Sequence, residues 1–361
     1  MTCISIGILA HNEADVIQAA LLSLLTQTIF DDPQITVEVI VVANGCSDGT
    51  EAIAQTFIQQ SADWLSDRNT RWKVCTLPEP GFANAWNTFT HQLSSSSADY
   101  LFSMNADIQL LEPTTFSSMV QILEDCPEAW VAVDKKLKDV AFKANKTLAD
   151  RVSLRVSKIS GERAITGGPA WISGQLYCAR AGMLRKLWLP LTLPTDDSFI
   201  YTMVVTNFLT EPPDPKRVLL APAAAHTFEA YTGIKRLFKH EKWLIYGVAV
   251  NEILYSYLRG MAEAQNVCLF IQKQNKDNPA WLDDLIQEAT LHRFGWFIPP
   301  FVLTRRFQSL RSKPLLKALL MLPLSTAAFL VDATLALQVN ATMNRNAGLS
   351  TWGKSGSWGK K

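Results

Sequence analysis

The sequence predicts an α/β protein with a mostly parallel central sheet flanked by helices, running on into a helical C-terminal region. Three observations predict it. Short apolar runs recur at residues 3–10, 37–43, 71–77 and 100–104. The stretches between them have helical spacing or end in turn-forming residues. Beyond Tyr231 the chain turns helical, aromatic and basic.

The elements follow in order. Residues 3–10 read as a central strand, broken by His11-Asn12-Glu13. Val16, Ile17, Ala20, Leu21, Leu24 and Leu25 then recur at helical spacing. Residues 37–43 are β-branched and apolar and end in Asn44-Gly45-Cys46-Ser47-Asp48-Gly49-Thr50, a turn-rich loop opening a helix. Strand, helix, strand, helix at this spacing is a βαβ unit, which closes parallel and right-handed. A third strand at 71–77, a helix at 82–93 and a fourth strand at 100–104 continue it. Residues 130–133 read as a strand, the Lys-rich 135–146 as an exposed loop and 150–159 as a helix. Gly167-Gly168-Pro169 breaks the chain. A strand and turn at 171–177, a helix at 180–187, a loop at 193–197 opening another helix, and a strand at 217–221 complete the reading.

Bulk properties bound the function. The 361 residues, 48% hydrophobic and 19% charged, can bury a sizeable core. The net charge of +1 conceals a split: residues 289–361 hold ten Lys or Arg against the single acid Asp332, leaving residues 1–288 at −8. Such a split implies a basic C-terminal face with its own partner. Cys3, Cys46, Cys75, Cys126, Cys178 and Cys268 form no Cys-x-x-Cys pair, so reduced thiols are expected. The first strand lacks a preceding basic region and breaks at His11, unlike a secretory signal.

Four clusters of acids and amides fall at strand ends or in loops: Asn12/Glu13, Asn44/Asp48, Asn105/Asp107 and Asp196/Asp197. In an open α/β sheet, ligands sit at the carboxyl ends of the strands. A carboxylate beside an amide at such an end suits a divalent cation carrying phosphate oxygens, because Mg²⁺ takes only one or two protein carboxylates. The plain alternatives are an Asp107 that starts a turn and an Asp196-Asp197 pair that caps a helix. His226, Trp171 and Trp188 read as ordinary loop or core residues. No P-loop, no Gly-x-Gly-x-x-Gly after the first strand and no Gly-x-Ser-x-Gly elbow occurs, against P-loop enzymes, nicotinamide dehydrogenases and α/β-hydrolases.

The order of motifs resembles the family 2 inverting glycosyltransferases, which use nucleotide-diphospho-sugars. It comprises Ala10-His11-Asn12-Glu13, Val41 to Thr50, Gly81-Phe82-Ala83-Asn84-Ala85-Trp86-Asn87, Asn105-Ala106-Asp107, Gly174 to Arg180, and Thr195-Asp196-Asp197. The match spans roughly residues 3–245. The resemblance implies a GT-A-type fold with a mostly parallel, mixed sheet. The catalytic domain would be 1–240, with a nucleotide-sugar half at 1–110 and an acceptor half at 111–240. The remaining 241–361 would be a helical, basic, membrane-associated region.

The resemblance also implies roles. Asn12, Glu13, Asn44, Asp48, Asn87 and Asn105 would bind the nucleotide-sugar, with a UDP-sugar favoured. Asp107 would hold a divalent metal, Mg²⁺ or Mn²⁺. Gly174, Gln175 and Arg180 would lie on the acceptor side, and Asp196 and Asp197 would supply the catalytic base. The basic, aromatic C-terminal region, apart from the resemblance, points to the cytoplasmic face of an anionic membrane and hence to a glycan or lipid-linked hydroxyl as acceptor, with no nucleic acid involved. Three positions depart from the pattern: Asn44 and Asn105 replace acids, and Phe82 stands where many members carry Lys. The Gln-x-x-Arg-Trp motif of processive synthases is absent, Lys239 to Trp243 keeping only its Trp. A nucleotide-sugar-binding scaffold without turnover and a sugar-phosphate nucleotidyltransferase are the competing readings. The second expects an Arg-containing Gly-rich loop after the first strand, where His11-Asn12-Glu13-Ala14-Asp15 stands.

In the C-terminal region, aromatics at 296, 297 and 301 lie near Arg305, Arg306, Arg311 and Lys313, a pattern that favours a headgroup layer. Residues 318–331 are uncharged but interrupted by Pro323. They are too short to span, so an in-plane or shallowly inserted segment is expected, with a span past Asp332 as the alternative.

Overall fold

The computed structural model describes residues 1–141, 170–229, 234–262, 265–291, 295–311 and 313–345. The helix expected at 150–159 and the breaker at 167–169 lie outside them.

An eight-stranded sheet has the order β3-β2-β1-β4-β7-β6-β8-β5. Its first four members, β1 (Thr2–Ala10), β2 (Ile35–Asn44), β3 (Thr70–Leu77) and β4 (Tyr100–Asn105), are parallel neighbours. Strands β1 and β2 are rich in β-branched residues, and β1, β2 and β4 are largely buried, as parallel strands covered by crossovers must be, whereas β3 at the edge alternates half-buried with exposed positions. Helices α1 (Ile17–Leu25), α2 (Thr50–Gln60), α3 (Ala62–Ser66) and α4 (Phe82–Thr88) make the connections. Helix α1 buries Ile17, Ala20, Leu21 and Leu24, the stripe its spacing predicts. The helix expected at 82–93 runs as α4 and then widens into a π-helical turn, Phe89–Leu93.

The other half is mixed. Strand β5 (Ile108–Leu110) and helix α5 (Thr115–Asp125) precede β6 (Val131–Lys138). Then β7 (Leu176–Arg180), α6 (Ala181–Leu184), α7 (Asp196–Val205) and β8 (Val218–Phe228) follow. Strand β7 runs antiparallel to both β4 and β6, and β6 is parallel to β8. The expected loop at 135–146 is therefore corrected over its described part. Lys135 to Lys138 form strand, paired with Ala225 to Phe228, and a 3-10 turn, Asp139–Ala141, follows. The strand expected at 217–221 likewise runs on to Phe228. The register breaks between Val133 and Lys135, and Pro222 sits in the resulting irregularity, where no ladder hydrogen bond is lost. Two apolar cores line the two faces of the sheet.

Helices α8 (Ile234–Ala262), α9 (Val267–Asp277), α10 (Trp281–Leu291), α11 (Pro300–Arg311) and α12 (Leu315–Asn344) complete the described chain. The domain boundary expected at 240 falls inside α8, which packs on α7. Helix α12 runs without a break through Pro323 and Asp332, longer than the segment expected at 318–331.

Candidate active site

The parallel strands finish together. Ala10 pairs with Ala43, Leu9 with Asn105 and Asn44 with Leu77, so the loops after β1, β2 and β4 share one edge. At that edge His11 Nδ1 lies 2.6 Å from the Asn44 carbonyl. Asn44 Nδ2 donates to Gly81 O at 2.8 Å, leaving its buried Oδ1 without a protein partner. Asn105 is buried, and its Nδ2 also lacks a partner. A buried amide atom left unpaired is costly and points to a ligand that completes it. Asp107, at the turn after β4, is half-buried.

Other predicted nucleotide residues serve the protein itself. Asn12 adopts φ +55° and its Oδ1 accepts from Ser47 N at 2.8 Å, clasping the β1 and β2 loops. Asp48 accepts from Ala14 N at 3.0 Å and from the backbone and hydroxyl of Thr50. Burial alone would raise its pKa, but these hydrogen bonds hold it below the usual carboxylate value. Glu13 is buried and its backbone N–H donates to Thr50 Oγ1 at 2.8 Å. Asn87 is spent on the backbone of Leu189, donating to its carbonyl at 2.8 Å and accepting from its N–H at 3.0 Å. Asn87 thereby braces α4 against the chain at Leu189.

The turn before β7 joins this edge to the acidic pair. Asn105 N donates to Gln175 O at 2.8 Å. A Cβ on Gly174 would lie 3.0 Å from Asp196 Oδ2, so the turn passes directly over that carboxylate. Gln175 Oε1 lies 3.2 Å from His226 Nε2, and His226 Nδ1 lies 2.7 Å from Asp134 Oδ2, all beneath the turn. His226 is fully buried, as a core histidine should be. Arg180 is not part of this group. It pairs with Tyr100 at the far edge of the sheet and donates to the carbonyls of Ala129, Leu123 and Cys126. Strand β7 is antiparallel to β4, so its last residue, Arg180, lies at the edge opposite the carboxyl ends of β1, β2 and β4, away from Gly174 and Gln175.

Asp196 and Asp197 form the first turn of α7 after Thr195. Burial first, and then the neighbouring Asp197 charge, push Asp196 up to about 8. Burial also raises Asp197, but the Ser198 N–H at 2.7 Å and the positive fields of Lys136 and His240 oppose it. Both carboxyls are therefore held above the ordinary carboxylate value, Asp196 by burial and the Asp197 charge, Asp197 by burial against those opposing groups. Helix α8 holds this turn. Asn251 Nδ2 donates to Thr195 Oγ1 at 3.1 Å and to Ser198 Oγ at 2.7 Å, and Tyr255 OH donates to Ser198 O at 3.0 Å. A Cβ on Gly247 would fall 2.2 Å from Thr195 Cγ2, so no larger residue permits that approach.

Sequence reasoning missed Lys136, hidden in a supposed loop, and Gly247, which carries no chemical signal. It also misread Trp171, which is 54% exposed and stacks on Tyr201 with ring centroids 3.8 Å apart. Trp188, read as core, is half-buried against His91, with centroids 3.6 Å apart.

One turn thus bridges the edge with the unpaired amides and the acidic pair. The family model for glycosyl transferase family 2 matches residues 5–186. The chain belongs to that family. It is a glycosyltransferase, with the mixed, helix-flanked sheet of its class. Among curated proteins, none matches significantly. Solved structures similar to it include glucosyl-3-phosphoglycerate synthase from Mycobacterium tuberculosis in complex with Mg²⁺ and uridine-diphosphate. That pair shares 15% identity over 69% of this chain and 77% of the other, with a TM-score of 0.44. The same enzyme with Mn²⁺, UDP-glucose and phosphoglyceric acid gives 15% identity, 69% and 78% coverage, and a TM-score of 0.41. A mycobacterial protein gives 14%, 69%, 73% and 0.43.

Among the described residues no three His, Cys, Asp or Glu side chains gather to hold a metal. A cation here would rest on Asp107 and on oxygens of the bound diphosphate. That donor set suits Mg²⁺ or Mn²⁺, which keep few protein ligands in phosphate sites.

Proposed function

We propose that this family 2 enzyme transfers a sugar with inversion from a nucleoside-diphospho-sugar, a UDP-sugar being favoured, to a hydroxyl of a glycan or lipid-linked acceptor. The observation that carries the reading is the Gly174-Gln175 turn, which bonds Asn105 on one side and overlies Asp196 on the other. Donor and base thus meet at one place.

Asn44 supports the choice of base. Its Nδ2 is committed to Gly81, so only Oδ1 remains, an acceptor at the end of β2. The imide N–H of uracil is the donor it suits, as a carboxylate there would also suit it. Asn105 Nδ2 offers a hydrogen bond to the donor's sugar or phosphate oxygens. A divalent cation at Asp107, when bound, would supply positive charge to the departing diphosphate. Asp197 takes the proton from the acceptor hydroxyl as its oxygen bonds the anomeric carbon from the face opposite the diphosphate. The bond from that carbon to the phosphate oxygen breaks, and the nucleoside diphosphate leaves with the electron pair. Asp197, whose rise is opposed by the Ser198 N–H, is the member of the pair assigned as the base. The exposed Trp171 face, three residues before Gly174, offers an apolar platform for an acceptor ring.

The test is turnover of a panel of nucleotide-sugars with and without Mn²⁺, followed by NMR of the product anomer. Inverted product from wild type, and Asp197→Asn slowed by about 10²–10⁴-fold, are expected. A retained anomer, or an Asp197→Asn enzyme with wild-type turnover, overturns the assignment.

A further inference from the structure

We propose that the hairpin of α11 and α12 seats the protein on an anionic lipid bilayer. Its leucine-rich tip enters the acyl region of one leaflet, and the bases around the tip meet the headgroups. This goes beyond sugar transfer and does not rest on it.

Past Lys313 and Pro314, α12 begins with Leu315, Leu316, Leu319, Leu320, Leu322 and Leu324 all exposed, Leu315 at 77% and Leu320 at 75%. At 3.6 residues per turn these leucines spread over roughly 200° of the helix circumference, wider than the stripe of a helix lying on its own core. Only 17% of the most apolar eighteen-residue stretch of α12 is buried. A soluble monomer seldom shows an apolar patch of this extent. The charges nearest the turn are Arg311, Lys313 and Lys317, all bases. The one acid of residues 289–361, Asp332, cannot offset them outwardly. It is 2% exposed and sealed by Arg305 at 3.0 Å and Arg306 at 2.8 Å.

These charges select the occupant. A two-fold contact between copies would set Arg311, Lys313 and Lys317 against their own images. An anionic bilayer offers hydrocarbon for the leucines and phosphates for the bases, and Lys317, among the leucines, has the stem length to reach the headgroups. The C-terminal half of α12 excludes a simple span. Asp332, Leu335, Ala336, Val339 and Met343 form a buried stripe against the protein. Asn340 Oδ1 accepts from Phe297 N at 2.7 Å, and the Asn340 and Asn344 amides donate to Gly295 O. Pulling this half into hydrocarbon would strip those polar groups of their partners. The helix thus keeps one end on the protein and dips the other.

The seat is also tied to the active site. Arg305 donates at 3.1 Å to Glu241 of α8, the helix whose Asn251 and Tyr255 brace the acidic turn.

Flotation of the full-length protein tests the proposal, using vesicles of phosphatidylcholine alone and of phosphatidylcholine mixed with phosphatidylglycerol. Wild type should float with the mixed vesicles at low salt, and a fraction should stay bound at high salt because the leucines are inserted. A Leu316→Glu/Leu319→Glu/Leu320→Glu variant changes only exposed positions, so its circular dichroism and melting should match wild type. Its partitioning should drop by at least about tenfold. Three results would each overturn the proposal: wild type staying with the soluble fraction at low salt, full release by salt, or a variant that floats like wild type. So would a lipid-free dimer that the variant dissociates, with no flotation of either protein.

Discussion

Asp196 and Asp197 are neighbours on one helical turn, yet their surroundings separate their protons. Lys136 and His240 act on Asp197, while Asp196 faces the Gly174 turn with its Oδ2 unpartnered. The pH dependence of kcat/KM should therefore show a rising limb above the ordinary carboxylate range, as Asp197 loses its proton, and a second transition near about 8, as Asp196 does. Asp196→Asn should erase the second transition and keep the plateau between them. A profile unchanged by that substitution would assign the transition elsewhere. Asp107 invites a separate test, because it is the one acid of the Asn105-Ala106-Asp107 turn. Asp107→Ala should lower transfer by at least about a hundredfold and abolish Mn²⁺ binding measured calorimetrically in the presence of UDP, with the melting curve preserved. Mn²⁺ affinity equal to wild type would place the cation on other ligands.

At the scale of elements, α8 sets the position of the acidic turn by contact alone. Gly247→Ala would drive a methyl into Thr195, and overpacking of that kind costs about 1–3 kcal/mol. The melting temperature should fall, and kcat should fall further than stability alone requires, because Thr195 adjoins Asp196. Unaltered kinetics in a folded Gly247→Ala protein would show that α8 does not govern the turn. Such contacts are not legible in a sequence, where a lone glycine in a helix shows only its poor propensity. The strand ends were legible, because a β-branched run closing on Asn44 and a short apolar run closing on Asn105 announce both the strand and its carboxyl edge. Direction was not: nothing in Leu176 to Arg180 says that β7 runs antiparallel, and that alone sends Arg180 to the far edge. Lys135 to Lys138 read as loop because their charge suggests solvent. Yet β6 there has β8 as its partner, and an edge-like strand tolerates lysine. Asn87 looked like a binding amide because its motif neighbours the cleft, whereas its helix face turns to Leu189.

At the scale of the molecule, three of the C-terminal helices are fastened to one another through one charged cluster. Asp332 joins α12 to α11 through Arg305 and Arg306, and Glu241 carries the connection to α8. Burial alone would raise the Asp332 pKa, but hydrogen bonds and charge from the two arginines carry it below its ordinary value. A carboxylate with a depressed folded pKa lends stability that is present above its unfolded value near 3.8 and is lost as pH falls through the lower, folded one. Asp332→Asn removes the charge, keeps the shape and strands two guanidiniums that are each more than a third exposed. Water screens them, so the expected cost is about 1–3 kcal/mol, below that of a fully buried broken pair. The loss should be seen as a lower urea midpoint at neutral pH. The gap from wild type should close as the medium is acidified below the ordinary carboxylate range, because wild-type Asp332 is then protonated too. Hydrogen exchange should localise the loosening to α11, α12 and the first turns of α8, with β1 to β4 protected as before. A uniform rise in exchange across the sheet would show instead that the C-terminal helices and the sheet unfold as one unit, with Asp332 holding no separate joint.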